Sequence, residues 1–453
     1  MPESRLHSAP TGVSAGRLCR RLPLAHGSSP TVPRPRFLAH GSSPTGLRGL
    51  VPTSCLCSRE MAPDSSPFTP FIGIDRRVLA LAVARMADAV GNSFLIIVLP
   101  LYVASEAVGG TVLGLPASMV AGAVLAAFGI ASSITQPLAG RLSDRTGRRK
   151  VFVLGGLVAL AGVNLAFVWA TAYWHLFALR ILQGLAAAFT ITASLAIVNE
   201  VSAPEHRGSN MGIYNSFRLL GFGTGPLLAS ALLELGPFAL PGGVRMTGFE
   251  ATFWVAAGTA VLGTALVAVL VRDPTGTAPT PRRLAVRVWA RAGRGLDTIF
   301  ALGIATLVMA TCLALLSAIE PAVNARLGQG PVLFAVEFVA LIAALAVLQP
   351  LVGRASDTWG RKPFIVLGLL ALIPTTLLQG LVETPSQMIG ARVLQGGAGA
   401  LIFAPALALA GDHTTRGQSG AQLSVLTVAF GLGIAAGQLT AGFFVQYAFV
   451  APF

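Results

Sequence analysis

Long apolar runs, separated by short stretches rich in Gly, Pro and Arg, make up most of the chain from residue 78 onward. Runs of roughly 20 apolar residues are long enough to cross the hydrocarbon core of a bilayer as helices. The pattern therefore predicts eleven membrane-spanning helices, over Val78–Val103, Pro116–Leu138, Val151–Thr171, Leu176–Val198, Ile213–Leu233, Ala251–Val271, Ile299–Ile319, Pro331–Leu351, Pro363–Leu381, Gln387–Ala410 and Gln422–Val445.

The chain repeats itself with a period of about half its length. The loop sequence GRLSDRTGRRK at Gly140–Lys150 returns in the second half as GRASDTWGRKP at Gly353–Pro363. The segment RILQG, which begins at Arg180, returns at nearly the same offset as RVLQG, which begins at Arg392. Because internal periodicity indicates a repeated architecture, we predict two similar halves.

The repeated loop combines glycines with clustered charge. Glycine permits tight turns and close helix approach, whereas arginines excluded from hydrocarbon stay on the cytoplasmic side and fix the orientation. We predict a tight cytoplasmic hairpin whose acid pairs with the arginines or faces a helix N-terminus. A plain topology signal is the alternative, and the second copy argues against it. The motif residues are Gly140, Arg141, Asp144, Arg145, Gly147 and Arg148, and in the second copy Gly353, Asp357, Gly360 and Arg361.

Charged residues inside the apolar runs are functional candidates, because they are costly to bury in a bilayer. Arg85, Asp88 and Asn92 are spaced i, i+3 and i+7, so they share one helix face. Asp88 lies about ten residues, or roughly 15 Å, into its helix and near the bilayer midplane. The alternative is an Arg85–Asp88 pair that only satisfies itself.

Two further charges lie within predicted helices. Arg180 cannot reach the cytoplasm by extending its side chain, so it needs an acceptor within the bundle or at the outer face. Glu337 lies toward the outer end of the eighth predicted helix, and the seventh has no acid that corresponds to Asp88.

The fifth predicted helix contains the sequence GFGTGP. Gly221 and Gly225, at i and i+4, give a smooth face for close helix contact. Pro226 predicts a kink or a local irregularity. Ordinary helix packing would account for the glycines equally well.

Composition and charge agree with a multi-pass membrane protein. The chain is 54% hydrophobic and only 11% charged, against about 25% for a soluble domain. The formal charge of +14 comes from arginines in loops and in the N-terminal segment, so it does not indicate nucleic-acid binding. Arg and Lys concentrate in the loops after the second, sixth and eighth helices, which predicts a cytoplasmic N-terminus.

Four segments follow from these patterns. Residues 1–60 hold eight Arg and two acids and predict a disordered basic tail; translation from Met61 and a transit peptide are the two interpretations of this tail. Residues 61–271 would form a six-helix bundle, and residues 272–298 a basic cytoplasmic linker, either solvated or lying on anionic lipid as an amphipathic helix. Residues 299–453 would form a second bundle with five helices, because the sequence ends where a twelfth helix is expected.

These residues resemble the major facilitator superfamily. The Gly140–Lys150 loop matches that family's motif between its second and third helices, and RILQG matches its fourth-helix arginine motif. The GFGTGP segment is similar to the fifth-helix motif of its drug:proton antiporters, although Ala229 and Ser230 replace two glycines that are usual there. The resemblance covers about Leu79–Phe453.

The resemblance implies an all-α membrane fold of two pseudo-symmetric six-helix bundles around a central cavity, with alternating access. It implies that Asp144 and its arginines hold the cytoplasmic side closed in the outward-open state. It also implies that an acid of the first helix, near the fourth-helix arginine, carries a proton. Asp88 and Arg180 match these positions, and Glu337 is the next candidate for proton coupling.

We therefore expect a proton-coupled exporter of hydrophobic or cationic small molecules, monomeric, in the plasma (inner) membrane. A proton-linked importer of a sugar or metabolite and a truncated relative that does not transport are the alternatives. An enzyme is disfavoured, because no nucleophile–base constellation, phosphate-binding loop or metal cluster is found. We expect no cofactor and no metal; the partners would be a small substrate, protons and lipid.

We predict that residues 1–60 are dispensable, because their composition supports neither a core nor a spanning helix. A variant that starts at Met61 should insert into the membrane and transport as the full chain does. Both properties can be measured by membrane fractionation and vesicle uptake. Loss of targeting in this variant would contradict the prediction and favour the transit-peptide interpretation.

Overall fold

The computed structural model describes residues 76–105, 108–109, 114–202, 207–239, 241, 243, 245–273, 288–289, 295–412 and 419–453. Almost all of these residues are helical, and one two-stranded antiparallel hairpin lies between the fifth and sixth helices. The helices are α1 Arg76–Ala104, α2 Ala117–Thr146, α3 Arg149–Ala166, α4 Tyr173–Val201, α5 Arg207–Leu235, α6 Gly248–Leu270, α7 Thr298–Ala314, α8 Glu320–Leu327, α9 Pro331–Trp359, α10 Arg361–Leu381, α11 Pro385–Asp412 and α12 Ser419–Phe444; the strands are β1 Phe238–Ala239 and β2 Arg245–Met246.

Eleven helices of the described chain are long and apolar enough to cross a membrane, which confirms the predicted number. They are α1 to α7 and α9 to α12. The short helix α8 was not predicted. It begins at Glu320-Pro321 and ends at Gly328, which has a left-handed backbone, so it has both the proline start and the glycine stop that favour a short helix.

The turns within the repeated loops are shorter than the predicted helix ends at Leu138 and Leu351 imply. Helix α2 continues through Thr146, so most of the first copy is helical, and only Gly147 and Arg148 form the turn. Helix α9 likewise continues through Trp359, and Gly360 alone separates it from α10. Positive φ angles of 65° at Gly147 and 90° at Gly360 explain why glycine is needed at these two turns.

The helices pack as two equivalent groups. In the first, α1 packs on α5 and α6, and α4 packs on α2 and α3; in the second, α7 packs on α12, and α11 packs on α9 and α10. Two pairs, α2 with α12 and α5 with α9, join the groups. The repeat relates α2 to α9 and α5 to α12, so these two pairs are equivalent. The boundaries of the four predicted segments stay a prediction.

The apolar core differs between the two ends of the bundle. At the end opposite the arginine-rich turns, one buried cluster contains residues of both halves, such as Val98, Leu125, Leu316, Val323 and Met388. At the arginine-rich end, the described core is divided into two clusters, each within one half. The halves therefore share a core only at the end opposite the arginines, apart from a small contact between α5, α9 and α11.

Two predictions lie mainly outside the described residues. The disordered tail over residues 1–60 lies wholly outside them. The basic linker over residues 272–298 is described only at residues 272–273, 288–289 and 295–298.

Candidate functional site

Asp88 is buried on α1, where Arg85 donates a hydrogen bond to its Oδ2. Asp88 is 6% exposed. Helix α1 is continuous over this region, so Arg85, Asp88 and Asn92 share one face as predicted. The arginine is one turn away on the same helix, which means that the ion pair forms without help from a neighbouring helix.

A small cavity lies beside Asp88 and is lined by polar side chains. Its volume is about 10 Å³, which is room for about one water molecule. Asn92, Asn164 and Gln183 contribute to its wall. The Oδ1 atom of Asn92 is buried and has no hydrogen-bond partner in the described structure, so the cavity offers a water both space and a free acceptor.

Arg180 is 2% exposed and begins a series of side-chain hydrogen bonds through two amides. Its Nη1 donates to Gln183 Oε1 at 2.7 Å, and Gln183 Nε2 donates to Asn164 Oδ1 at 2.8 Å. Its guanidinium carbon lies 5.1 Å from the ring centre of Phe128, which also lines the cavity. No ion pair joins Arg180 to Asp88 among the described residues. Asp88 lines the small cavity itself, whereas Arg180 is connected to the cavity through Gln183 and Phe128, which line it.

Arg392 repeats this arrangement in the second half. Its Nη1 donates to Gln395 Oε1 at 2.7 Å, and Gln395 Nε2 donates to Thr376 Oγ1 at 3.2 Å. Gln395 and Thr376 stand at the positions of the second half that correspond to Gln183 and Asn164. The repeat therefore preserves an arginine, an amide three residues later and a polar partner on the preceding helix.

Glu337 adds an acid that the first half lacks. It is fully buried on α9, and its Oε1 accepts a hydrogen bond from Gln329 Nε2 at 2.8 Å. Its Oε2 has no hydrogen-bond partner in the described structure. Glu337 lies within electrostatic range of Arg392, so the arginine of the second half has an acid nearby, whereas the described ion pairs give Arg180 none.

Gly221 and Gly225 place α5 directly against the part of α1 that carries Asp88. A Cβ atom at Gly221 would lie 2.8 Å from Ala89 Cβ, and one at Gly225 would lie 2.8 Å from the Val90 carbonyl oxygen. Ser93 Oγ also donates to the Gly221 carbonyl oxygen at 3.2 Å. The fifth-helix motif therefore fixes the helix that holds the acid. Helix α5 continues through Pro226.

The second half uses the same contact between α12 and α7. A Cβ atom at Gly433 would lie 2.8 Å from Ala310 Cβ, and one at Gly437 would lie 3.1 Å from Ala314 Cβ. Gln438, which stands where the first half has Pro226, donates to Ser317 Oγ at 3.3 Å. The glycine contact is thus repeated within the chain. The residue after the second glycine differs, because Gln438 makes a side-chain hydrogen bond and Pro226 cannot.

Asp144, the acid of the first arginine-rich turn, pairs with Arg149 at the start of α3. Arg149 Nη2 lies 3.2 Å from Asp144 Oδ1 and also forms an ion pair with Glu200 of α4. The backbone amide of the next residue, Lys150, donates to Asp273 Oδ1 at 2.7 Å. These contacts tie the end of α2 and the start of α3 to α4 and to the segment after α6.

The other arginines of the first loop do not pair with Asp144, whereas the second loop has an acid–arginine pair of the predicted kind. Arg141, Arg145 and Arg148 are exposed and make no ion pair with another described residue. A Cβ atom at Gly140 or Gly353 would meet nothing within 4 Å, so neither glycine makes a close helix contact here. Asp357 lies 3.0 Å from Arg361 Nη2 across the second turn.

The sequence profile of the Major Facilitator Superfamily matches residues 81–293 and 301–453. The chain belongs to this superfamily. It is therefore a transporter and not an enzyme.

Several curated members of the superfamily are similar to the chain. A multidrug resistance protein of Salmonella choleraesuis is 28% identical over 324 residues, which cover 70% of this chain and 76% of that protein. An MFS-type transporter of Mycobacterium tuberculosis is 25% identical over 342 residues, which cover 72% and 78%. Citrate exporter 1 of Aspergillus niger is 31% identical over 140 residues, which cover 31% of this chain but only 24% of that exporter.

Solved structures of the superfamily share the fold. A bacterial homologue of the human lysosomal transporter Spinster, in an inward-facing and occupied conformation, has a TM-score of 0.68 at 15% identity and 83% coverage of both chains. The human organic anion transporter MFSD10 has a TM-score of 0.63 at 20% identity, with 83% of this chain and 95% of that chain covered. At these identities the likeness establishes the fold alone.

We predict that Gly221→Ala lowers both stability and transport. The added Cβ would be forced against Met86 and Ala89 of α1, and overpacking of this kind costs about 1–3 kcal/mol. Thermal unfolding in detergent and vesicle transport would measure the two effects.

Gly223→Ala is the matched control for this change. It lies two residues away on the same helix, and its Cβ would be 3.8 Å from Ile342 Cγ2, an ordinary contact. Both substitutions gain the same helix propensity, about 1 kcal/mol. Equal behaviour of the two variants would show that the contact between α5 and α1 does not matter.

We predict that Asp144→Asn slows transport roughly tenfold or more, while Asp144→Glu retains most of the activity and both variants express normally. The reason is that Arg149 needs a negative partner at the end of α2 as well as Glu200 on α4. Glu383→Gln, which also removes one acid but at an exposed position at the opposite end of the bundle, is the control. Equal transport by Asp144→Asn and the parent would show that the loop only determines the membrane orientation.

Proposed function

We propose that this transporter exports hydrophobic or cationic small molecules in exchange for protons, by alternating access. The observation that carries the proposal is Asp88, a buried acid in the first half that is paired with Arg85 and lies beside a cavity of single-water size. An ionised carboxylate at this depth is stable only while it is paired or hydrated. Its protonation would therefore be coupled to what else occupies the site.

The arginine-rich turns define the cytoplasmic side in this proposal, because clustered Arg and Lys remain inside. The chain would then lie in the plasma (inner) membrane with its N-terminus in the cytoplasm. The core shared by both halves lies at the outer end, and the divided core lies at the inner end. This arrangement is the one expected of a transporter whose outer end is closed.

Exchange requires that proton and substrate exclude each other. With Asp88 ionised, a cationic or polarisable substrate can compete with Arg85 for the carboxylate and bind beside it. When the outer side opens and the substrate leaves, a proton reaches Asp88 through the cavity water and removes the charge. Neutral Asp88 would then allow the empty carrier to return, and the proton is released inside, where the paired ionised form is restored.

Arg180 acts on this step through the cavity wall rather than by direct contact. Gln183 and Asn164 connect its guanidinium to the cavity, so its positive charge would favour ionised Asp88 whenever the water network is complete. Glu337, near Arg392 in the second half, is the next candidate for the coupling residue.

The arginine-rich turns would hold the inner end closed in the opposite state. Open space at Gly140 and Gly353 leaves room for a neighbouring helix to approach when the inner ends come together. The ion pairs of Arg149 keep α2, α3 and α4 in a fixed arrangement for that contact.

Export is favoured over import by the curated relatives, some of which are named as exporters or multidrug resistance proteins. The glycine contact of α5 is compatible with both directions. An importer of a sugar or metabolite and a relative without transport activity are therefore outcomes that the following experiment distinguishes.

We predict that Asp88→Asn abolishes uphill transport driven by a pH gradient and weakens the binding of cationic probes, while the binding of uncharged probes is retained. The amide keeps the size of the side chain and removes the exchangeable charge. Inside-out vesicles would be given an acidic lumen and tested with lipophilic cations, such as ethidium and tetraphenylphosphonium, and with sugars.

Glu234→Gln, which removes an exposed acid of α5 far from the cavity, is the control and should transport as the parent does. Proton-driven accumulation by Asp88→Asn at the parental rate would exclude Asp88 and direct attention to Glu337. No transport of any probe by the parent would favour the relative without transport activity.

A further inference from the structure

Glu320 is a buried acid that the proposed exchange does not use. It is the first residue of α8, in the segment between the spanning helices α7 and α9, and it is 0% exposed. Both of its carboxylate oxygens are buried, and neither makes a hydrogen bond of normal geometry in the described structure. A carboxylate in this position would be neither hydrated nor paired.

The surroundings of Glu320 belong to the closed outer end. Helix α8 packs on the outer end of α1, on the 3₁₀ turn Leu315–Ala318 and on α9. Its neighbours Ile319 and Val323 are part of the apolar cluster that joins the two halves. Glu320 therefore belongs to a helix whose packing on α1 joins the two halves and must loosen when the outer end opens.

No described cation compensates Glu320. The outer end of α1 offers only Tyr102, whose hydroxyl donates to the Ala170 carbonyl oxygen at 3.0 Å. Helix α9 offers Glu337, a like charge, and the 3₁₀ turn has no titratable group. Arg326, on α8 itself, is held by the Val382 carbonyl oxygen and the ring of Phe449.

These conditions favour the neutral acid. Burial raises the pKa of the Glu320 carboxyl well above its usual range, and Glu337 adds to the rise, while the Asn324 side chain one turn along α8 opposes it. Once exposed to water, the same carboxyl would return to the ordinary range near ~4.3. Opening and closing of the outer end therefore change its protonation.

We infer that Glu320 binds a proton from the outer side when the outer end closes and returns it to the same side when that end opens. The inference requires alternating access, but not that Asp88 is the coupling residue. The proton on Glu320 does not cross the membrane. It acts as a ligand of the closed outer end, so it would make the conformational equilibrium sensitive to external pH without changing the number of protons exchanged per substrate.

The sign follows from the linkage between protonation and conformation. Because the closed state holds the carboxyl with the higher pKa, it is favoured at low pH and loses this advantage as the pH rises toward the closed-state value. The ratio of closed to open molecules can then fall by up to about tenfold for each pH unit in this window.

Electron–electron distance measurements on the full chain can test this inference. The native cysteines would be replaced by alanine, and spin labels placed at Thr171 and Ser386, two exposed positions at the outer ends of the first and second halves. Distance distributions would be recorded in lipid nanodiscs at about pH 5.5 and about pH 8.5. The cysteines to be replaced are Cys19, Cys55, Cys57 and Cys312.

For the parent we expect the short-distance, closed population to rise relative to the open one by roughly tenfold or more at the lower pH. Glu320→Gln, which resembles the protonated acid, should remain closed at both values. Glu320→Asp keeps a titratable carboxyl and should retain a pH-dependent shift. Glu383→Gln removes an exposed acid at the same end and should behave as the parent does.

A parental distribution that does not change with pH, or a Glu320→Gln variant with the full parental shift, would overturn the inference. Asp88→Asn separates this result from the proposed exchange, because it should lose proton-driven transport yet keep the shift at the outer end. If Asp88→Asn instead abolishes the shift while Glu320→Gln retains it, the outer end responds to Asp88 and Glu320 has no part in it.

Discussion

A charge within the hydrocarbon layer must be paired or hydrated, and this constraint governs the polar interior of the transporter. The structure satisfies this constraint mainly by contacts between residues of the same helix. Arg85 neutralises Asp88 from one turn away, and Arg180 and Arg392 each donate to an amide oxygen three residues later. An amide satisfies a hydrogen bond without cancelling the charge. Both halves therefore retain a buried positive charge whose field remains available to a nearby acid or ligand.

The two halves share their scaffold and differ in their chemistry. Glycine contacts between α5 and α1 recur between α12 and α7, and the arginine–amide pairs recur at the same offset. The buried acids Asp88 and Glu337 do not recur. The glycine contacts match Ala89 of α1 with Ala310 of α7, so Asp88 corresponds to Met309. The repeated loops match Gly140 with Gly353, so Glu337 corresponds to Val124. The repeat is therefore seen in the helix packing and the arginine–amide pairs, whereas the buried acids differ between the halves.

The sequence was sufficient for the number of spanning helices, the duplication and the shared face of Arg85, Asp88 and Asn92, because each depends on local periodicity. It was insufficient where distant segments meet. Asp144 pairs with Arg149, which is also paired with Glu200 of the distant helix α4. Helix α8, which carries Glu320, packs on α1 in the other half of the chain. The extra turns of α2 and α9 were missed because solvated arginines do not end a helix. A proline start and a glycine stop could have revealed α8.

The two-residue turn at Gly147 and Arg148 has a mechanical consequence. Because the link is so short, the ends of α2 and α3 that it joins must move together. The ion pairs of Arg149 connect α4 to the same ends. Helix α2 also contacts α12 of the other half. A displacement of α12 would therefore move α2, α3 and α4 together as one rigid group. The stiffness of the turn at Gly147 and Arg148 would then limit how far the first half can tilt.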